Sequence, residues 1–381
     1  MTRLGVSMEE QTFADAVARF AAATLAPRAA ALDESAESAT CHRADLAAMG
    51  LMGMNLPERW GGPGLTPVAM LLSLVEIAGA CASTSSMIGA HYLATDAILI
   101  GGDDVHRERY LPGAARGELL AGFALTEPGG GSNPADLRTQ AVRDGDCYRL
   151  NGTKQFISNA AEADLLVVFA KTDPAAGARG VTAFIVDTAA PGVSFSAPER
   201  LMGIRAAHAF GVMLNDVRVS VGQRLGAEGS GFHTAMKVLD NSRLDVAATA
   251  LGIAEAAMAA AIEWSQQRMI AGEALAARQG IQWMLADMKV RLEAAWALTL
   301  QAASLRASGQ PFTMQAAMAK LHASEMVAFV TDAAQQIHGG YGYSRSLPLE
   351  RYVRDARILR IYEGASEIQR TVIARALTGR R

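Results

Sequence analysis

Residues 142–152 read VRDGDCYRLNG, and this stretch decides the architecture. An Asp-Gly step, Asp144-Gly145, separates two short runs, and Tyr148 and Leu150 alternate in the second. That pattern predicts strand, turn, strand. Similar runs follow in LLVVFAK (165–171), GVTAFIVD (180–187) and VMLNDVRVS (212–220). Residues 122–226 are therefore expected to form a β domain of about seven or eight short strands.

Outward from this centre the period becomes helical. Ser7-Met8-Glu9-Glu10 has the form of a capping box, and Phe13, Val17, Phe20 and Ala21 recur on one helical face. Pro57, Gly61, Gly62, Pro63 and Gly64 interrupt the pattern before a second apolar helix near Pro67. From residue 227 the chain is rich in Ala, Leu and Met, with breaks near Gly272, at Gly309-Gln310-Pro311 and at GGYGYS. Long helices with short links suggest an antiparallel bundle. The expected fold is α+β, mostly α. A helical domain (1–121) precedes a β-sheet or barrel domain (122–226) and a C-terminal four-helix bundle (227–381).

Half of the 381 residues are hydrophobic, 19% are charged and the formal net charge is −3, which excludes a disordered chain. Scattered Lys and Arg form no stripe for nucleic acid. Cys41, Cys81 and Cys147 have neither disulfide-framework nor metal spacing, so reduced thiols are expected. MTRLGVSMEEQTF lacks a signal-peptide apolar core, and no uninterrupted apolar run reaches the roughly 18 residues of a membrane span. A cytoplasmic protein of bacterial type is expected.

FALTEPGGGSN (123–133) is a glycine-rich loop after a strand, able to expose backbone N–H groups to a ligand, or simply a flexible turn. It fits neither G-x-G-x-x-G nor the P-loop. In KQFISN (154–159), Phe156 can lie along a flat ring and Ser158 can donate to it; the alternative is an amphipathic strand. LDNSR (239–243) reads as a helix opening, with Asp240 or Asn241 as cap, or as a cluster binding a polar substrate arm. QIHGGYGY (336–343) offers glycine backbone or a helix C-cap, and His338 suits packing better than metal ligation. The histidine spacing gives no metal site. Ser132 lies in no G-x-S-x-G elbow. In RIYEGASEIQR (360–370), one acid, Glu363, sits between Tyr362 and Gly364.

Taken together and in this order, LTEPGGGS, LNGTKQFIS, LDNSR, QIHGGYGY and ERYVRDARILRIYEGASEIQR resemble the acyl-CoA dehydrogenases over nearly the whole chain. The resemblance implies FAD as cofactor and desaturation of an acyl thioester between its α and β carbons. Glu363 would remove the α-proton while the β-hydride passes to flavin N5. The glutamate's backbone N–H and a flavin ribityl hydroxyl would hold the thioester oxygen. Phe123, Leu125, Thr126, Gly131, Ser132, Phe156, Ile157 and Ser158 match flavin contacts. Arg268, Gln279, Gln336, Gly339, Gly340, Ala365 and Glu367 match further cofactor positions, several reaching the FAD of a neighbouring subunit, which implies a homotetramer. Ser132, Asp240, Arg243 and Gly364 match substrate contacts. The substrate would be an acyl-CoA or carrier-protein thioester, and the oxidant an electron-transfer flavoprotein unless O2 serves.

Some members place the base just before the arginine matching Arg243; here that residue is Ser242, so Glu363 is preferred. Other departures cluster on the cofactor side. RMIAG (268–272) puts Ile270 and Ala271 in place of a polar and an aromatic residue, and Ala365 stands where threonine is usual. Ala207, His208 and Ala209 occupy a hydroxyl-rich segment, and Asn133 replaces a frequent aspartate. These changes leave open a rival: a biosynthetic flavin oxidase or monooxygenase on the same scaffold. A cofactor-free interaction protein is the remaining class. Met87, His91, Tyr92 and Leu93 either line the acyl pocket or pack in the core.

Overall fold

The computed structural model describes residues 5–379. The N-terminal helices are α1 (Met8–Phe20), α2 (Ala26–Ser35), α3 (Arg43–Ala48), α4 (Pro67–Ala80), α5 (Ala82–Gly101) and α6 (Asp104–Ala115). The Ser7 hydroxyl accepts from the Glu10 N–H while Glu10 accepts from the Ser7 N–H, so the capping box forms as read. α4 starts where Thr66 caps the Ala69 N–H and Pro67 occupies the first turn.

Strands β1 (Ala121–Ala124), β2 (Gln140–Asp144), β3 (Cys147–Ser158), β4 (Leu165–Lys171), β5 (Val181–Asp187), β6 (Val193–Phe195), β7 (Ala209–Ser220) and β8 (Arg224–Leu225) form one sheet. Its order is β6-β7-β3-β2-β4-β5-β8, with β1 added parallel to β4. The opening hairpin pairs Asp144 with Cys147 around Gly145-Asp146, where Gly145 has φ +64°. The turn is therefore one residue later than the Asp-Gly step suggests. β4 is buried along its whole length, which is why LLVVFAK reads as a continuous apolar run.

The C-terminal part holds α7 (Gly231–Gln267), a two-residue hairpin of β9 (Met269–Ile270) and β10 (Glu273–Ala274), α8 (Gln279–Ala307), α9 (Thr313–His338), α10 (Gly340–Tyr343), α11 (Leu349–Arg357) and α12 (Ser366–Thr378). α7, α8 and α9 pack on one another, and α11 and α12 pack on α9. Gly272 is not a plain break. With Ala271 at φ +51° and Gly272 at φ +83°, it turns the β9–β10 hairpin.

Two expectations need correction. LDNSR does not open a helix: α7 begins at Gly231, so Asp240 and Asn241 lie well inside it and cap nothing. A search for uninterrupted apolar runs also overlooks that α7 is long and apolar enough to cross a membrane, with 61% of its most apolar window buried inside the chain. It is wrapped by α4, α5, α8 and α9, and its small residues allow close approach. At one such crossing a Cβ on Gly252 would stand 2.2 Å from the Val75 carbonyl oxygen.

Candidate active site

The glycine-rich loop hangs from a buried ion pair. Glu127 receives Lys154 Nζ at 2.8 Å, the Arg138 N–H at 2.5 Å, the Thr139 N–H at 3.0 Å and the Thr139 hydroxyl at 2.6 Å. Burial pushes the Glu127 carboxyl up, but Lys154 and these donors outweigh it and hold the pKa below its usual value. Burial lowers the Lys154 ammonium to about 8. The anchored loop carries exposed Gly129, Gly130, Gly131 and Ser132, with half-buried Thr126 at its base. Asn133 donates to Asp136 at 2.5 Å, a local turn contact.

Beside the loop, the Gln155 N–H donates to the Thr126 carbonyl at 3.0 Å, and β3 bulges between Lys154 and Ile157. The bulge holds Phe156 at φ +57° with 60% of its surface exposed. An aromatic ring left in solvent on left-handed backbone is costly twice over, in strain and in exposed apolar area. A flat apolar face laid against it would offset both. Ile157 instead turns into the core, 2% exposed, and Phe123 packs on Phe169 at 4.8 Å between ring centroids. Ser158 is half-buried. An exposed ring, a glycine loop and adjacent hydroxyls fit a flavin dinucleotide.

A second cluster forms where α7, α9 and the turn before α12 meet. Glu363 and Gly364 both have positive φ, +52° and +94°. The Gly364 carbonyl accepts Lys320 Nζ at 2.7 Å and the Gln369 amide at 2.8 Å, which hold this turn. Glu363 Oε2 is buried without a hydrogen-bond partner. Burial raises the Glu363 carboxyl to about 7, against the opposing pull of the Ser242 hydroxyl, Lys320 and Arg243. Ser242 therefore supports the acid rather than replacing it. Arg243, 5% exposed, pairs with Asp240, which also accepts the Thr313 hydroxyl at 2.6 Å. Arg243 Nε is buried and unpartnered.

Helix α5 joins the two clusters. Asn159, just past the Phe156 bulge, donates to the Met87 carbonyl at 3.0 Å. The adjacent Ser86 lies beside the half-buried Tyr362 side chain, next to Glu363. Met87, His91 and Tyr92 are core residues, each 1% exposed or less.

The remaining predicted positions lie elsewhere. Arg268, Gln279, Gln336, Gly339, Gly340 and Glu367 are exposed, and no hydrogen bond ties them to the glycine loop among the described residues. Gly339 ends α9 as a C-cap, and His338 stacks on Trp264 at 5.0 Å while bonding the Ala334 carbonyl, a packing role. Ala365 is the N-cap position of α12. His208 bridges Glu162 at 2.6 Å and the Ala36 carbonyl at 2.9 Å, tying the sheet to the end of α2. Sequence reasoning passed over Lys154, Lys320 and Glu127. Lys320 gives no local signal within α9, whereas Glu127 and Lys154 lie inside motifs already singled out.

Family models for the acyl-CoA dehydrogenase N-terminal, middle and C-terminal domains match residues 7–118, 122–217 and 229–378. The chain belongs to the acyl-CoA dehydrogenase family. It is 41% identical to the acryloyl-CoA reductase (NADH) of Anaerotignum propionicum, covering 100% of this chain and 98% of that one. The butyryl-CoA dehydrogenase structure from Megasphaera elsdenii superposes with a TM-score of 0.96 at 38% identity, over 99% of this chain and 100% of that one. A chain from a study of the electron transferring flavoprotein of Acidaminococcus fermentans gives the same TM-score and identity, over 99% of each. As a family member the chain is an FAD-dependent oxidoreductase acting on acyl-CoA thioesters.

Proposed function

We propose that Glu363 is the base that removes the α-proton during α,β-dehydrogenation of an acyl-CoA. One observation carries this assignment: the carboxylate is buried, unpartnered at Oε2 and raised to about 7, so it is poised to exchange a proton near neutral pH. Bound FAD supplies the hydride acceptor. Phe156 stacks on its ring, and Thr126, Gly131, Ser132 and Ser158 hold its polar parts. The positive-φ turn at Glu363-Gly364, pinned by Lys320 and Gln369, sets the Glu363 N–H where a thioester oxygen accepts it. A single preorganised donor of this kind contributes roughly 3–4 kcal/mol to the transition state. Arg243 and Asp240 position the substrate from α7.

The exposed Arg268, Gln279, Gln336 and Gly340 reach the cofactor of another copy in a homotetramer. An electron-transfer flavoprotein takes the electrons, in keeping with the neighbour from the Acidaminococcus study. The names of the reductase and the butyryl-CoA dehydrogenase favour short acyl chains. Anaerobic titration of the flavoprotein with short acyl-CoAs tests the reaction. Bleaching of the flavin band is expected, and an unchanged spectrum with all of them would reject it. Subsequent admission of air distinguishes slow reoxidation, as expected here, from oxidase behaviour.

A further inference from the structure

Past the base, α7 carries a row of polar side chains. Asp245 lies one turn beyond Ser242 and Thr249 one turn beyond Asp245, on the same helical face. Opposite them, Ser85 hydrogen-bonds Thr249 at 2.9 Å and Ser86 meets Tyr362. Asp96 of α5 accepts Asn55 at 2.7 Å and Asn241 at 2.8 Å.

Asp245 differs from its neighbours. Among the described residues its carboxyl has no hydrogen bond and no ion pair; only its backbone carbonyl is used, by Thr249 at 2.9 Å. The residue keeps some accessible surface although its neighbours Ser242, Arg243, Leu244 and Val246 are buried, and its carboxyl oxygens are not among the buried unpartnered atoms, so they can still meet water or a ligand. The groups around it are Glu363, Asp96, Arg306, Tyr92 and Tyr362. Burial, then the charges of Glu363 and Asp96, push its pKa well up, opposed by Arg306, which forms no salt bridge with it.

A straight alkyl chain packed here would strip water from the carboxyl and return nothing. A substrate bearing an N–H or O–H would complete it. We propose that Asp245 is a specificity determinant that accepts a hydrogen bond from an amino or hydroxyl group on the substrate's acyl chain, near the γ-carbon. The placement follows from one helical turn, about 5 Å, separating Asp245 from the Ser242 that touches the base. The inference rests on Glu363 marking the α-carbon, and it deepens that reading by naming the acyl class.

The test is calorimetric binding of butyryl-CoA, 4-hydroxybutyryl-CoA and 4-(dimethylamino)butyryl-CoA to the flavoprotein, with anaerobic flavin bleaching recorded separately. At least one polar thioester is expected to bind about ten-fold or more tightly than butyryl-CoA. Asp245→Val should abolish that preference. Asp245→Asn, which keeps the shape and a carbonyl acceptor, should retain a preference for the hydroxyl ligand and lose one for the cation, so the pair tells the two donors apart; Asp245→Ala, which removes the acceptor without a branched side chain, should behave as the valine variant and covers its failure to fold. Wild-type protein that binds butyryl-CoA as well as both polar thioesters, or a preference that survives both substitutions, overturns the proposal. Selective binding without bleaching would reject the base assignment and leave the pocket standing.

Discussion

Lys320, wholly buried in α9, donates its ammonium to the Gly364 carbonyl at 2.7 Å, one residue beyond Glu363. The contact fixes an unfavourable backbone and places a cation beside the acid. Burial lowers Lys320 to about 8, and Glu363 is the largest influence holding it up. One side chain thus contributes both to the turn geometry and to the strength of the acid.

Replacing Glu363 with Gln preserves the shape of the turn and removes the proton acceptor. Loss of at least about 10²-fold in the rate of flavin reduction is expected, with flavin still bound. Stopped-flow bleaching under anaerobic conditions measures it, and near-wild-type rates would remove Glu363 from the mechanism.

The pH profile should show the same group. A base must be ionised, so kcat/KM should rise with pH through about 7. Lys320 lowers the Glu363 pKa, so Lys320→Met should move that limb to higher pH. A limb that stays in place would show that Lys320 acts on the turn alone.

The Lys154–Glu127 pair predicts a stability effect. Lys154→Met strands a carboxylate whose side chain is 7% exposed, at a cost of about 3–5 kcal/mol. Lys154 and the donors around it hold the Glu127 carboxyl below its usual range, so its contribution is complete above the unfolded carboxylate pKa and is lost as pH falls through the folded one. Urea unfolding across pH follows both effects. In the Met variant the acid-side slope due to Glu127 should shrink.

Phe156→Ala should weaken FAD retention. Loss of a stacked face is worth about 0.5–1.5 kcal/mol, or roughly 2- to 12-fold in affinity. Fluorescence of released flavin after dilution reports it. Unchanged retention would place the flavin ring away from the bulge.

What the sequence determined is local. The capping box at Ser7, the hairpin at 142–152, the apolar run of β4 and the glycine loop are written in neighbouring residues, because turn chemistry and period depend on short separations. The family motifs named Glu363 and Arg243 without placing them in space. Tertiary structure decided the rest. It put LDNSR inside α7, since helix phase carries through residues that would also make good caps. It buried Lys154 against Glu127, 27 positions away, and Lys320 against Gly364, 44 positions away. A lysine's charge state depends on what removes its water, and only the folded chain brings those distant groups together. The same holds for Asp245, whose missing partner is evident only once the groups around it are in place.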